Sequence, residues 1–177
     1  MEPAVELTFR ELEQELEGLL AKYSQNQSKS KNLILAKLLY WLAFFNQEVA
    51  LQTLKNTALA LECLRQALKE QQKRSNLQNV ILVSDCLYAE AMAKVVLTKE
   101  PFVVKKLAEA ISETGIKRLA VRDSSLKPLV ATVFDLAAYF SQKEKAVMQE
   151  LLKLKESYLN GKLKLADLVG CLSLEPL

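Results

Sequence analysis

Asp85 is the residue of this sequence whose position most demands an explanation. It lies in Val80-Ile-Leu-Val-Ser-Asp85-Cys-Leu-Tyr88-Ala-Glu-Ala91, a run dominated by apolar side chains. Read as a helix, the run has Glu90 and Lys94 four residues apart on one polar edge. At 100° per residue, Asp85 falls about 140° from Glu90 and about 180° from Lys94. It therefore points away from the polar edge and into the apolar, packed side. A carboxylate packed there needs partners or a neutral state, because desolvating it alone costs about several kcal/mol. A structural hydrogen-bonding role and a functional role both meet that need.

Other chemistry is sparse. The sequence has no histidine, which removes the commonest general base, the commonest metal ligand and every Ser-His or Cys-His nucleophile pair. Its four glycines are scattered singly, so no glycine-rich loop cradles a phosphate. No aspartate cluster of the DDxxD kind is present to hold magnesium against a diphosphate. The cysteines, Cys63, Cys86 and Cys171, are odd in number, widely spaced and outside any CxxC pair. They read as buried free thiols in a reducing cytoplasm rather than as a disulfide framework or a zinc site.

Lys117 and Arg118, with Arg122 near, could meet an anion, and read more simply as a solvated helix end. Lys69 to Arg74 holds three bases in six residues and reads the same way. With a net charge of only +3 and no basic stripe, a nucleic-acid partner is not expected. Tyr40-Trp41 and Phe44-Phe45 form the one dense aromatic group, better suited to a core than to a ligand cage.

The elements that must position these residues are helical. The chain has 177 residues, half of them apolar and a quarter charged, with four glycines and four prolines. These numbers predict a single all-α domain, since strand-and-turn folds need more Gly and Pro at their corners, and the segments that follow make it a helical bundle of seven or eight helices. Thr8-Phe-Arg-Glu11 reads as a capping box opening a first helix with Phe9, Leu12, Leu16, Leu19, Leu20 and Tyr23 on its apolar face. Ser24 to Ser30 is a polar connector. A second helix, Lys31 to Phe45, is apolar on most of its surface and is placed at the centre. A third spans Glu48 to Gln71, with Leu51, Leu54, Ala58, Leu61, Cys63, Leu64 and Leu68 facing inwards.

The fourth helix, Leu77 to Thr98, contains Asp85 and has an apolar surface broader than one stripe. Pro101 opens a fifth, which Gly115 closes in a left-handed conformation. Asp123 or Ser125 caps a sixth, with Pro128 in its first turn and Leu129, Val133, Leu136, Ala137 and Phe140 inside, running to Ser141. A seventh covers Lys143 to Tyr158 and ends at Asn160-Gly161, and a short last helix covers Leu165 to Leu172. No basic region followed by an apolar run marks a signal peptide at the N-terminus. The most apolar window, Leu33 to Phe45, contains Lys37 and is too short to span a bilayer. A cytoplasmic, non-transmembrane protein is expected.

The order of segments resembles the N-terminal half of the trans-polyprenyl diphosphate synthases, and in particular the small non-catalytic subunit (component I) of the two-component heptaprenyl diphosphate synthases. KNLILAKLLYWLAFF, from Lys31 to Phe45, is similar to the helix after their basic GKRxRP motif. Ala58-Leu-Ala-Leu-Glu62-Cys-Leu64 resembles the AALELLH stretch that leads to their first aspartate-rich motif. The segment from Val80 to Ala91 resembles their AILAGDYLLARA helix, with Ser84-Asp85 where Gly-Asp is usual. Ser125-Leu-Lys127-Pro-Leu-Val-Ala131-Thr-Val-Phe134 resembles their KTAxLF helix. The likeness covers roughly residues 30 to 140.

The departures define what the resemblance implies. The DDxxD position falls on Gln72-Lys-Arg-Ser-Asn76, the GKRxRP arginines are reduced to Lys29-Ser-Lys31-Asn, and no second aspartate-rich motif follows. No catalytic residue and no cofactor are therefore assigned to this chain. Magnesium and the condensation of an allylic diphosphate with isopentenyl diphosphate are expected on a catalytic large subunit, the implied partner. The helix around Asp85 would line the interface with that partner beside the product tunnel. Ser84, Asp85, Leu87, Tyr88, Ala91 and Met92 are the candidates for interface or tunnel wall. Product length for a quinone side chain, menaquinone especially, is the expected output, and any membrane contact would come through the complex. A helical adaptor or α-solenoid unrelated to prenyl chemistry fits the composition equally, although no 34- or 40-residue repeat is evident.

Overall fold

The computed structural model describes residues 3–23, 33–43, 51–72, 77–120, 126–141 and 145–172. Among them are eight helices and no strand: α1 (Pro3–Tyr23), α2 (Ile34–Ala43), α3 (Leu51–Gln71), α4 (Leu77–Leu97), α5 (Pro101–Ala120), α6 (Lys127–Phe140), α7 (Lys145–Leu159) and α8 (Leu165–Leu172). The connector 24–30, Phe44, Phe45, the loop 73–76 and the turn 122–125 lie outside the described residues.

The architecture is the expected all-α bundle, organised around α3 as much as α2. Every residue of α3 from Asn56 to Leu64 is buried, so this helix is covered on all sides. It packs against α1, α2, α4 and α5, while α2 packs against α3, α6 and α8. Leu54, Ala58, Leu61, Cys63, Leu64 and Leu68 face the core as expected, whereas Leu51, at the first turn, is exposed. On α6, Leu129, Val133, Leu136, Ala137 and Phe140 are all buried.

Helix boundaries depart from the sequence reading in several places. Helix α2 starts at Ile34 rather than Lys31, with Leu33 still outside it. Helix α1 starts at Pro3, not at Thr8. Proline is well suited to a first turn, where its missing N–H is one of the unpaired ones anyway. Thr8 then falls in the second turn, where no backbone amide needs a cap. Gly115 lies inside α5, which continues to Ala120. A single interior glycine costs about 1 kcal/mol, too little to stop a helix whose preceding turns, with Val103, Leu107 and Ala110 buried, are held by the core. Helix α6 begins after Leu126, which makes no side-chain cap, and Pro128 occupies its first turn. Asp123 and Ser125 lie outside the described residues.

Among the described residues, two connections use left-handed backbone. Gly161 has φ +73° and ends α7 as the Asn160-Gly161 pair predicts, with the amides of Lys162 and Leu163 both donating to the Ser157 carbonyl. Between α4 and α5 the left-handed residue is Lys99, φ +56°. Its amide donates to the Val96 carbonyl, and the Thr98 hydroxyl bonds the Val95 carbonyl and accepts the Glu100 amide. No helix among the described residues is long and apolar enough to cross a membrane.

Candidate interaction face on the fourth helix

Helix α4 lies along α3 and also contacts α5. Its inner side is made of Val80, Ser84, Leu87, Ala91 and Val95, all buried. Ser84 can occupy that side because its hydroxyl donates to the Ile81 carbonyl one turn back, at 2.9 Å. The polar edge meets α1, where Lys94 forms an ion pair with Glu15. A second bridge from α1, Glu11 to Lys55 on α3 at 2.9 Å, holds the same corner.

On the far side of α4, Ile81, Leu82 and Val96 are 50%, 64% and 63% exposed. Ala89 and Ala93 are exposed between them, and Met92 is half-buried at the border. Asp85 stands within this stripe and is itself exposed. The stripe is centred on the order of 130° around the helix from the buried side and runs for about 22 Å. Among the described residues, no cation pairs with Asp85.

These positions divide the residues selected from the sequence. Ser84, Leu87 and Ala91 belong to the chain's own core, and Tyr88 and Met92 sit half-buried at its margin. The expectation of a packed Asp85 is corrected: it lies opposite the Glu90–Lys94 edge as predicted, but the apolar side it shares faces outwards. Helical periodicity reports the angle between residues. It does not report which of two apolar sides meets the bundle.

Under the polar edge lies Cys63, buried on α3. Burial pushes its thiol up to about 12, the charges of Glu90 and Glu62 add to that shift, and Lys94 opposes it. Cys86 is half-buried. Tyr40 is buried, and burial together with the Glu11 charge raises its phenol well above the ordinary range. Trp41, placed with it in an aromatic core group, is instead exposed.

Glu62 stands in the Ala58–Leu64 stretch, where the sequence alone gives it no structural role. Glu62, fully buried on α3, accepts the backbone amides of Leu35 and Ala36 at 2.7 and 3.1 Å. These are the second and third amides of α2, unpaired in any helix start. Leu33, just before α2, has no side-chain acceptor for them. Arg65 on the next turn of α3 holds the second carboxylate oxygen at 2.6 Å. The available signal was a glutamate set between Leu61 and Cys63 on a helix otherwise apolar at that level.

Elsewhere, charges tie helices together. Asp135 on α6 pairs with Lys106 on α5, at 3.5 Å, and with Lys155 on α7. Tyr139 stacks on Phe102, with ring centroids 4.3 Å apart, and donates to Glu100 at 2.8 Å. Among the described residues, no group of three or more His, Cys, Asp or Glu side chains could hold a metal ion. Lys69 is exposed near the end of α3, and Lys117 and Arg118 lie in the last turn of α5, the helix end expected for them.

Neither family models, curated proteins nor solved structures match this chain. The functional reading therefore rests on the residues and on the exposed face of α4.

Proposed function

We propose that this chain is a non-catalytic subunit that docks through the outer face of α4 onto a DDxxD-bearing large subunit of a trans-polyprenyl diphosphate synthase. The observation that carries the reading is the exposed row of Ile81, Leu82, Ala89, Ala93 and Val96, on the very helix that resembles the synthase AILAGDYLLARA segment. A helix with one apolar side in the bundle and another in solvent has surface left for a partner. Met92 and Tyr88 border both sides and stay with the docking set. Ser84, Leu87 and Ala91 act by holding α4 in place.

In this reading the large subunit supplies the aspartate-rich motifs, magnesium and the carbon–carbon bond formation. The present chain covers one flank of the product tunnel and limits how far the isoprenoid grows, for a quinone such as menaquinone. It works in the cytoplasm, and the complex rather than this chain meets the membrane that receives the lipid.

Co-expression with a large subunit, followed by assay of each protein alone and together, tests the proposal. Co-purification and long-chain product only from the mixture are expected. A large subunit that makes the same product at the same rate alone would refute it.

A further inference from the structure

We infer that the outer face of α4 is built for a helix of a different chain, one that places a basic side chain against Asp85, and not for a second copy of this chain. The inference rests on reading this face as a docking surface, and it concerns what the face selects.

Asp85 is the only charged residue among the exposed positions from Ile81 to Val96. No residue three or four positions from it on α4 is basic: these are Leu82, Tyr88, Ile81 and Ala89. A docked helix would remove the carboxylate from water, and since no cation among the described residues pairs with it, the partner must supply its counter-charge. Ala89 and Ala93, one and two turns further on, carry small side chains and let a partner backbone come close beside it.

Self-pairing that keeps the whole outer row in contact does not meet that requirement. With two copies of α4 side by side in parallel, Asp85 faces Asp85. In the antiparallel pairing centred on Ala89, Asp85 faces Ala93 while Leu82 faces Val96, so each copy contributes an unpaired buried carboxylate. A partner helix with an apolar stripe and one lysine or arginine near its middle satisfies both the apolar row and the charge. Asp85 thus discriminates between partners while Ile81, Leu82 and Val96 supply the contact area.

Sedimentation of the chain alone and titration with the catalytic large subunit test this separately. Alone, the wild type is expected to be monomeric, Asp85→Leu to self-associate, and Asp85→Leu combined with Leu82→Glu to return to monomer. A wild type that dimerises through this face, reversed by Leu82→Glu, overturns the inference, as does an Asp85→Leu chain that stays monomeric. Against the large subunit, Asp85→Lys should weaken binding by about tenfold or more, with Asp85→Asn intermediate. Equal affinity for wild type and Asp85→Lys would also overturn it. A wild type that binds no large subunit defeats the synthase reading and leaves sedimentation to decide this one. Asp85 is exposed, so none of these single changes disturbs the core.

Discussion

The carboxylate of Glu62 accepts the Leu35 amide at 2.7 Å, so α3 caps the start of α2 from across the bundle. A helix start normally draws its cap from the residue just before it, and Leu33 cannot provide one. The arrangement fixes α2 against α3 in both position and direction. It also makes a buried charge part of the scaffold against which α4 packs.

Removing that carboxylate should therefore be costly. Glu62→Ala leaves two buried amides without their acceptor and removes the Glu62–Arg65 ion pair, a loss of about 3 kcal/mol on the scale of broken buried pairs. Glu62→Gln keeps an acceptor for the amides and should lose less. Urea unfolding of both variants at neutral pH checks the order. Equal stability of Glu62→Ala and wild type would mean that the cap contributes nothing.

Lys99 predicts the opposite sign. Its φ of +56° is unfavourable for any residue with a β-carbon, whereas glycine adopts it freely. Lys99→Gly should raise stability by about 0.5 kcal/mol, the local gain being partly offset by a more flexible unfolded chain. A fall in the denaturation midpoint would contradict the strain.

The buried thiol of Cys63 sets an alkaline limit. Its pKa rises from 9.0 to about 12 on folding, chiefly through burial. A raised value means that the folded state holds its proton longer than the unfolded one. Its stabilising effect is complete below pH 9 and is lost as pH climbs from 9 towards 12. Unfolding measured across pH 8 to 11 should show a decline that Cys63→Ala makes shallower. Unchanged pH dependence in that variant would remove Cys63 as a cause. Thiol labelling at neutral pH, read by peptide mass, should reach the half-buried Cys86 well before Cys63.

The two sides of α4 should respond differently to substitution. Leu87→Ala opens a cavity in the core and should cost about 2–5 kcal/mol. Leu82→Glu replaces an exposed side chain and should change stability by no more than about 0.5 kcal/mol. A strongly destabilised Leu82→Glu would show that the outer row is packed within the chain itself.

What the sequence makes legible depends on how local the signal is. The apolar periodicity of α6 and the Asn160-Gly161 stop of α7 act within a turn or two, and both were read correctly. So was the extent of α8. The start of α1 was misplaced because Thr8 to Glu11 imitates a capping box, while Pro3 gives a weaker signal further upstream. The width of the apolar surface on α4 was visible, but its direction depends on α3 packing against Leu87 and Ala91 rather than against Leu82 and Val96. Glu62 was missed for a related reason. Its partners lie 26 and 27 residues away in sequence, and no local pattern announces them.

The claim at the centre of this account is that the outer row of α4 is where the chain meets a catalytic partner. Long-chain prenyl product made by the large subunit with either wild type or Leu82→Glu, both shown to be equally folded, tests it most directly. Wild type should support synthesis and Leu82→Glu should not. The same product in the same amount from both mixtures would contradict the account.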